Sequence, residues 1–351
     1  MRVTVKYNIM EFIQKSLMDR EIIHYYDGNL LISSQYNKVF INQIGNETNI
    51  DLPGDGILSI PGQFRLGRRA LRLDKCNVVP VRDGLVIIRQ GSVYHFDHNS
   101  KTLTKVLKLS NCRNILHQSM LVTENNEIYF GEYGNNASRS EVPIYRSQDS
   151  GISWQKIYSF DAGKIKHIHG CYWDKYEEKL WVFTGDFAGE CYAICTDKDF
   201  TNIEWVGDGQ QSYRMCNAFF EEDSIHWIMD SQLEDSFHIR MDRRTRKIEH
   251  LTKFPGPVWY IKRLVDGYYL AATAQEIGLG VKDQYAHIMA TKDLNAWEDI
   301  AQYKYDGLPK RYFKFGVIGF SDGPQSSEQF YIFGEALKGL EGKSALCQVT
   351  G

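Results

Sequence analysis

The run Lys166-His167-Ile168-His169 places two histidines two residues apart. On an extended chain both imidazoles then face the same side. Such a pair supplies a general base near neutral pH, with His169 the better placed to assist a reaction and His167 to hold a substrate. Carboxylates stand at or just beyond the ends of apolar runs, at Glu132, Asp186, Glu190, Asp230 and Glu335. Two carboxyl groups around one opening, one protonated and one ionised, are what cleavage of a glycosidic bond requires. Asp186 follows Thr184-Gly185, where a glycine lets the backbone come close to a neighbour or a ligand. Arg113, Arg139 and Arg214 carry the planar fork that grips an anion through paired N–H groups, Gln211 lies beside the last of them, and Trp259-Tyr260 offers a platform for a sugar ring.

These groups need elements to carry them, and the chain supplies a recurring one. Seven apolar runs end in small or polar residues: 29–34, 84–89, 127–132, 180–185, 225–230, 268–273 and 329–334. Their spacing of roughly fifty residues is that of propeller blades. Tips such as Asp27-Gly28, Asp83-Gly84 and Asp266-Gly267 precede several runs and suit tight hairpins. The pattern predicts an all-β chain, a single β-propeller domain over residues 1–351 with seven four-stranded blades; six is the alternative count. The last unit stops at its third strand, 345–349, so an N-terminal strand at 3–9 is expected to close the ring, which removes the exposed sheet edges. Residues 10–20, with Phe12, Ile13 and Leu17, read as one short helix beside it.

In an up-and-down blade, the starts of first strands and the ends of second strands share one mouth. His117, His167, His169, Arg214 and Trp259-Tyr260 fall at such starts; Glu132, Asp186, Asp230 and Glu335 fall at such ends. The stretch Ser147-x-Asp149-x-Gly151-x-x-Trp154 falls at the opposite face. There Asp149 is suited to bind backbone amides, Gly151 to accept positive φ and Trp154 to pack beneath the hairpin, which is structural chemistry. Thr196-Asp197-Lys198-Asp199 and Thr291 to Trp297 are degenerate echoes of it.

A chain of 351 residues with a net charge of −3 and interspersed acids and bases carries no electrostatic footprint for nucleic acid. No apolar run is long enough to span a bilayer, and the N-terminus lacks the apolar stretch of a signal peptide. Seven cysteines without a close pair, in a chain of this size, read as reduced thiols, and the expected location is the cytoplasm.

The turn at 147–154 is the Asp-box pattern. Together with Gly131-Glu132-Tyr133, His167-Ile168-His169-Gly170, Thr184-Gly185-Asp186 and Gln210-Gln211-Ser212-Tyr213-Arg214, it resembles the sialidase-like Asp-box (bacterial neuraminidase repeat) propellers, close to the uncharacterised glycosyl-hydrolase-like members in bacteria, over about residues 110–260. The resemblance implies a carbohydrate-active propeller, glycoside hydrolase-like, acting on or binding an acidic or polar oligosaccharide or polysaccharide. Asp186, Glu132 and His169 would then be catalytic, and Arg214, Arg139, His167, Gln211, Asp230, Trp259, Tyr260 and Glu335 would hold the substrate. Similarity in architecture to seven-bladed polysaccharide lyases implies an alternative, with His169, Tyr213 or Tyr260, and Arg214 removing a proton beside a uronate carboxylate; glycan binding without turnover is a third reading. The reading takes no cofactor and no metal, and a metal site made of His117, His167 and His169, with Glu132 and Asp186 considered beside them, is the alternative use of the histidines.

Overall fold

The computed structural model describes residues 10–351. They form seven four-stranded antiparallel sheets, spanning 22–51, 77–108, 121–160, 168–205, 219–253 and 258–304, with a seventh sheet from 317–350. All seven apolar runs are second strands: Gly84–Arg89 and Phe330–Glu335, for example, are buried from end to end. Continuous burial is expected where both faces of a sheet pack against neighbouring blades. The core therefore lies between blades. Trp181 and Phe183 of the fourth blade meet Trp227 and Met229 of the fifth, and Leu270 and Ile288 of the sixth meet Ile318 and Ile332 of the seventh.

The ring closes differently from the expectation. The predicted strand at 3–9 lies outside the described residues, and the predicted helix at 10–20 is instead the strand Glu11–Met18, outermost in the seventh blade. It pairs antiparallel with Lys343–Thr350, Glu11 opposite Thr350 and Met18 opposite Ser344. Phe12, Ile13 and Leu17 suit a helix stripe, but the open edge of Lys343–Thr350 offers a ladder of backbone partners that a short isolated helix cannot match. Phe12 packs on Phe330 at 6.3 Å between ring centres.

A second difference lies between the first and second blades, where no element was expected. Residues 56–71 form a 3₁₀ turn and two short helices, Ser59–Gly62 and Arg65–Leu71. Arg65, Arg68 and Arg69 tie them to Glu21, Asp74, Asp306 and Glu341.

The turn at 147–154 has the hydrogen bonding its residues call for. Asp149 accepts from the Ser153 N–H at 2.9 Å and the Ser147 hydroxyl at 2.8 Å, and Trp154 Nε1 donates to the Gly151 carbonyl at 3.1 Å. Gly151 has φ +92°, and a Cβ there would lie 2.2 Å from Val86 Cγ2, so glycine is required twice over. All seven cysteines are buried and unpaired, as core residues. Among the described residues no helix is long and apolar enough to cross a membrane.

Candidate functional site at the mouth of the ring

The fourth blade begins with the strand Ile168–Asp174, entered through Lys166 and His167, and its second strand ends at Thr184. His167, His169 and Asp186 thereby converge. His167 Nε2 and His169 Nε2 are 3.2 Å apart, and they lie 3.4 and 3.5 Å from Asp186 Oδ1. Each ring is fixed from behind: His167 Nδ1 is 2.8 Å from the Gly134 carbonyl and His169 Nδ1 is 2.8 Å from the Met215 carbonyl. A carbonyl can only accept, so each ring donates from Nδ1, and in the neutral rings both Nε2 atoms present lone pairs.

Asp186 is the hub. Its carboxylate meets the Lys166 ammonium and, at 3.1 Å, Arg214 Nη2. Arg214 also donates to the Asp186 carbonyl at 3.0 Å and to Gln232 at 2.5 Å, and its Nε is 3.4 Å from Asp230. Gln211 donates to the Asp186 carbonyl at 3.1 Å and accepts from Ser231 at 2.7 Å, so it positions Asp186 and does not face outward. Burial would raise the Asp186 carboxyl, but its polar neighbours hold it well below the ordinary carboxylate range. The contacts of His167 and His169 contribute most to this, then the charge of Arg214. An aspartate so held cannot deliver a proton.

The other expected catalytic carboxylate is elsewhere. Glu132 accepts from the backbone N–H groups of Ser110 and Asn111, both at 2.8 Å, and from the Tyr145 hydroxyl at 3.1 Å. It is 3% exposed and knits two blades together. The pairing of Asp186 with Glu132 is therefore corrected: the end of a second strand can turn its side chain between blades as well as into the mouth. Tyr213 is corrected likewise, since it packs in the core with Trp227 at 6.0 Å.

The remaining expected residues divide. Arg139 pairs with Glu190 at 2.5 Å and lies over the Phe187 ring, without a contact to the Asp186 carboxylate. Asp230 backs Arg214 and receives the Cys216 thiol at 3.3 Å. Glu335 belongs to a separate buried ion network with Lys75 and Lys314, in which Lys314 also meets Asp74 at 2.6 Å. His117 does not join His167 and His169; it packs against Phe333 at 5.0 Å and Tyr260 at 6.1 Å. Of the residues considered for a metal with His167 and His169, which were His117, Glu132 and Asp186, only Asp186 joins them.

Beside the cluster opens a cleft of about 550 Å³. Arg72, Lys75, Arg113, Lys166, His117 and His167 line it, with Asn111, Asn114, Tyr133, Trp259 and Tyr260, and no carboxylate side chain among the described residues does. Trp259 Nε1 donates to Glu276 at 2.7 Å behind the wall, where burial, then Asp230, push the Glu276 carboxyl up to about 8. Lys75 was not singled out from the sequence, and Lys166 and Tyr133 were placed at the mouth there without a role of their own. Lys75 precedes the first strand of the second blade as Lys166 precedes that of the fourth, so the rule that such starts face the mouth could have found it.

No protein-family model and no curated protein matches this chain. Among solved structures it is similar to the CNH domain of AfRom2, at 8% identity and TM-score 0.54 over 96% of this chain and 98% of that one. It is also similar to the extracellular domain of a hybrid two-component system protein from B. thetaiotaomicron, at 11% identity and TM-score 0.50 over 90% of this chain and 43% of that one. At these identities the likeness is one of fold.

Proposed function

We propose that this propeller is carbohydrate-active and takes an acidic, uronate-bearing oligosaccharide in the mouth cleft. The observation that carries the reading is the lining: four cationic side chains, flanking amides and two aromatic rings, with the carboxylates of Glu335 and Asp186 behind Lys75 and Lys166 and none on the wall itself. Trp259 supplies the stacking surface, and Arg72 and Arg113, with Lys75 and Lys166 beside their own carboxylates, supply the charge. The resemblance of the Asp-box stretch to sialidase-like propellers agrees with a glycan ligand.

Of the two reactions considered, β-elimination suits the cleft better than hydrolysis. Hydrolysis by paired carboxylates needs two of them at the reacting bond, and Glu132 is enclosed between blades while Asp186 stays ionised. Elimination needs cations beside the uronate carboxylate and a neutral base. Burial, then the adjacent Lys75, push His117 down to about 3, so it is unprotonated in the free protein; a uronate carboxylate bound against Lys75 would offset that charge and restore the ring's basicity. His117 would take the proton α to the carboxylate; a carbon–carbon double bond forms, the bond to the glycosidic oxygen breaks, and Tyr133 on the same wall protonates the departing oxygen.

The test is a panel of uronate-bearing, sialylated and neutral oligosaccharides, followed by calorimetry and ultraviolet absorbance. Uronate oligosaccharides are expected to bind and to yield an unsaturated, absorbing product, with binding weakened at least ~10-fold in Lys75→Ala/Arg113→Ala. Equal affinity for neutral glycans, or no binding of any uronate, would sink the reading; binding without absorbance would leave a glycan-binding propeller.

A further inference from the structure

We propose that His167 Nε2, His169 Nε2 and Asp186 Oδ1 hold a divalent transition-metal ion of the Zn²⁺ type at the inner edge of the mouth cleft. The proposal does not depend on what the cleft binds. It starts from an electrostatic mismatch. Both imidazoles spend their only proton on a backbone carbonyl behind the ring, at 2.8 Å each. Their lone pairs then oppose one another at 3.2 Å and both face a carboxylate oxygen at 3.4 and 3.5 Å. Three acceptors turned toward one point, with His167 and His169 2% and 1% exposed, repel one another unless a cation lies between them.

The size of the triangle fits a metal. Ligand bonds of about 2.0–2.2 Å in tetrahedral geometry set neighbouring donor atoms roughly 3.3–3.5 Å apart. The three sides are 3.2, 3.4 and 3.5 Å. Two imidazoles and one carboxylate are a donor set suited to Zn²⁺ and its first-row neighbours, and three protein ligands leave a fourth position for water or a ligand group. His167 lies on the cleft wall, so that position is within reach of whatever occupies the cleft.

The supporting groups are those a metal site needs. The carbonyls of Gly134 and Met215 fix the tautomer and orientation of the two rings, and Lys166, Arg214 and Gln211 fix Asp186. Arg214 uses one lone pair of Asp186 Oδ1 at 3.1 Å and leaves another for the ion. A second observation points the same way: buried Asp230 lies against His169 and Cys216 in the adjoining group, and its Oδ1 has no hydrogen-bond partner. The site thus carries an unused acceptor just behind the ligands, where a water on the ion or the ion's own charge would satisfy it.

The test uses the full chain, stripped with a chelator, dialysed and titrated with Zn²⁺, Mn²⁺ and Co²⁺. Elemental analysis is expected to find about one equivalent of metal, Zn²⁺ is expected to raise the unfolding temperature, and Co²⁺ to give the intense visible bands of a tetrahedral site. His169→Gln and Asp186→Asn, which keep side-chain shape, are expected to lose stoichiometric binding, while His226→Gln, in a buried pair far from the mouth, retains it. Should a mouth variant fail to fold, the Co²⁺ spectrum of the wild-type chain still decides. Absence of bound metal in the wild type, with an imidazole N–H proton resonance shared between His167 and His169, would overturn the proposal in favour of a trapped proton. Metal retained undiminished by both variants would overturn it as well.

Discussion

Two buried histidine pairs sit in this ring with the same separation of ring centres, 5.1 Å, and do opposite things with it. Between the fifth and sixth blades, Trp297 Nε1 donates to His238 Nδ1 at 3.2 Å. Its N–H forces His238 to accept there and to carry its proton on Nε2, which donates to His226 Nδ1 at 3.0 Å. His226 then donates from Nε2 to the Ser224 hydroxyl at 3.0 Å, and Ser224 donates to Asp223. Every group in the chain is satisfied with both rings neutral. At the mouth, each ring of His167 and His169 donates backward to a carbonyl, and the two remaining nitrogens confront one another. The first pair is closed; the second is complete only with a cation. What separates a structural pair from a binding site is the polarity of whatever stands behind each ring, not the histidines or their distance.

The largest expected effect comes from breaking the open pair at its hub. Asp186→Ala leaves buried Arg214 with Asp230 alone and Lys166 with no carboxylate, and breaking a buried ion pair costs about 3–5 kcal/mol. Urea unfolding would measure it, together with the loss of bound metal; an unchanged midpoint would mean that Asp186 is not the hub described.

Next comes acid. Burial pushes His226 down to about 4 and His238 to about 3, the latter also through His226. A lowered folded-state value means that the neutral ring is favoured in the native protein. The stability is therefore present above pH 6.5 and lost as pH falls from there to about 4, with His226 alone contributing about 2–3 kcal/mol at ~1.4 kcal/mol per pH unit. The pH dependence of the unfolding free energy tests this, and the slope in that window should shrink in His226→Gln. A smaller effect is expected at the turn at 147–154: Gly151→Ala combines a positive φ with a clash on Val86 and should cost about 1–3 kcal/mol without altering ligand or metal binding. The smallest is Trp297→Phe, which removes the donor that sets the His238 tautomer. It should cost about 1 kcal/mol in thermal unfolding and leave the mouth untouched.

Much of this architecture was legible residue by residue. The seven apolar runs are seven second strands because burial on both faces of a blade demands unbroken apolar stretches, and that demand is written locally. Asp149 and Gly151 could be assigned to a turn because the partners of Asp149 lie within four residues. The meeting of His167, His169, Asp186 and Arg214 followed from strand polarity alone. Glu132 was misjudged because a strand-end position says which rim a residue occupies, not whether its side chain turns inward or between blades. Lys75 was within reach of the same rule, since it precedes a first strand, but its pairing with Glu335, 260 positions away, has no local sign.

The amino-acid pattern by itself determined the repeat, the tight turns and the two faces of the ring, because each depends on residues within one hairpin. Only the tertiary structure decided which strand closes the ring, which carboxylates stay free of backbone N–H groups, and which nitrogen of each imidazole carries the proton. Closure places Glu11 against Thr350, and Met215 supplies the carbonyl that orients His169 from the next blade. Such contacts cross blades, and hydrogen-bond polarity at a buried ring is set by the neighbours that packing brings to it, which no local pattern encodes.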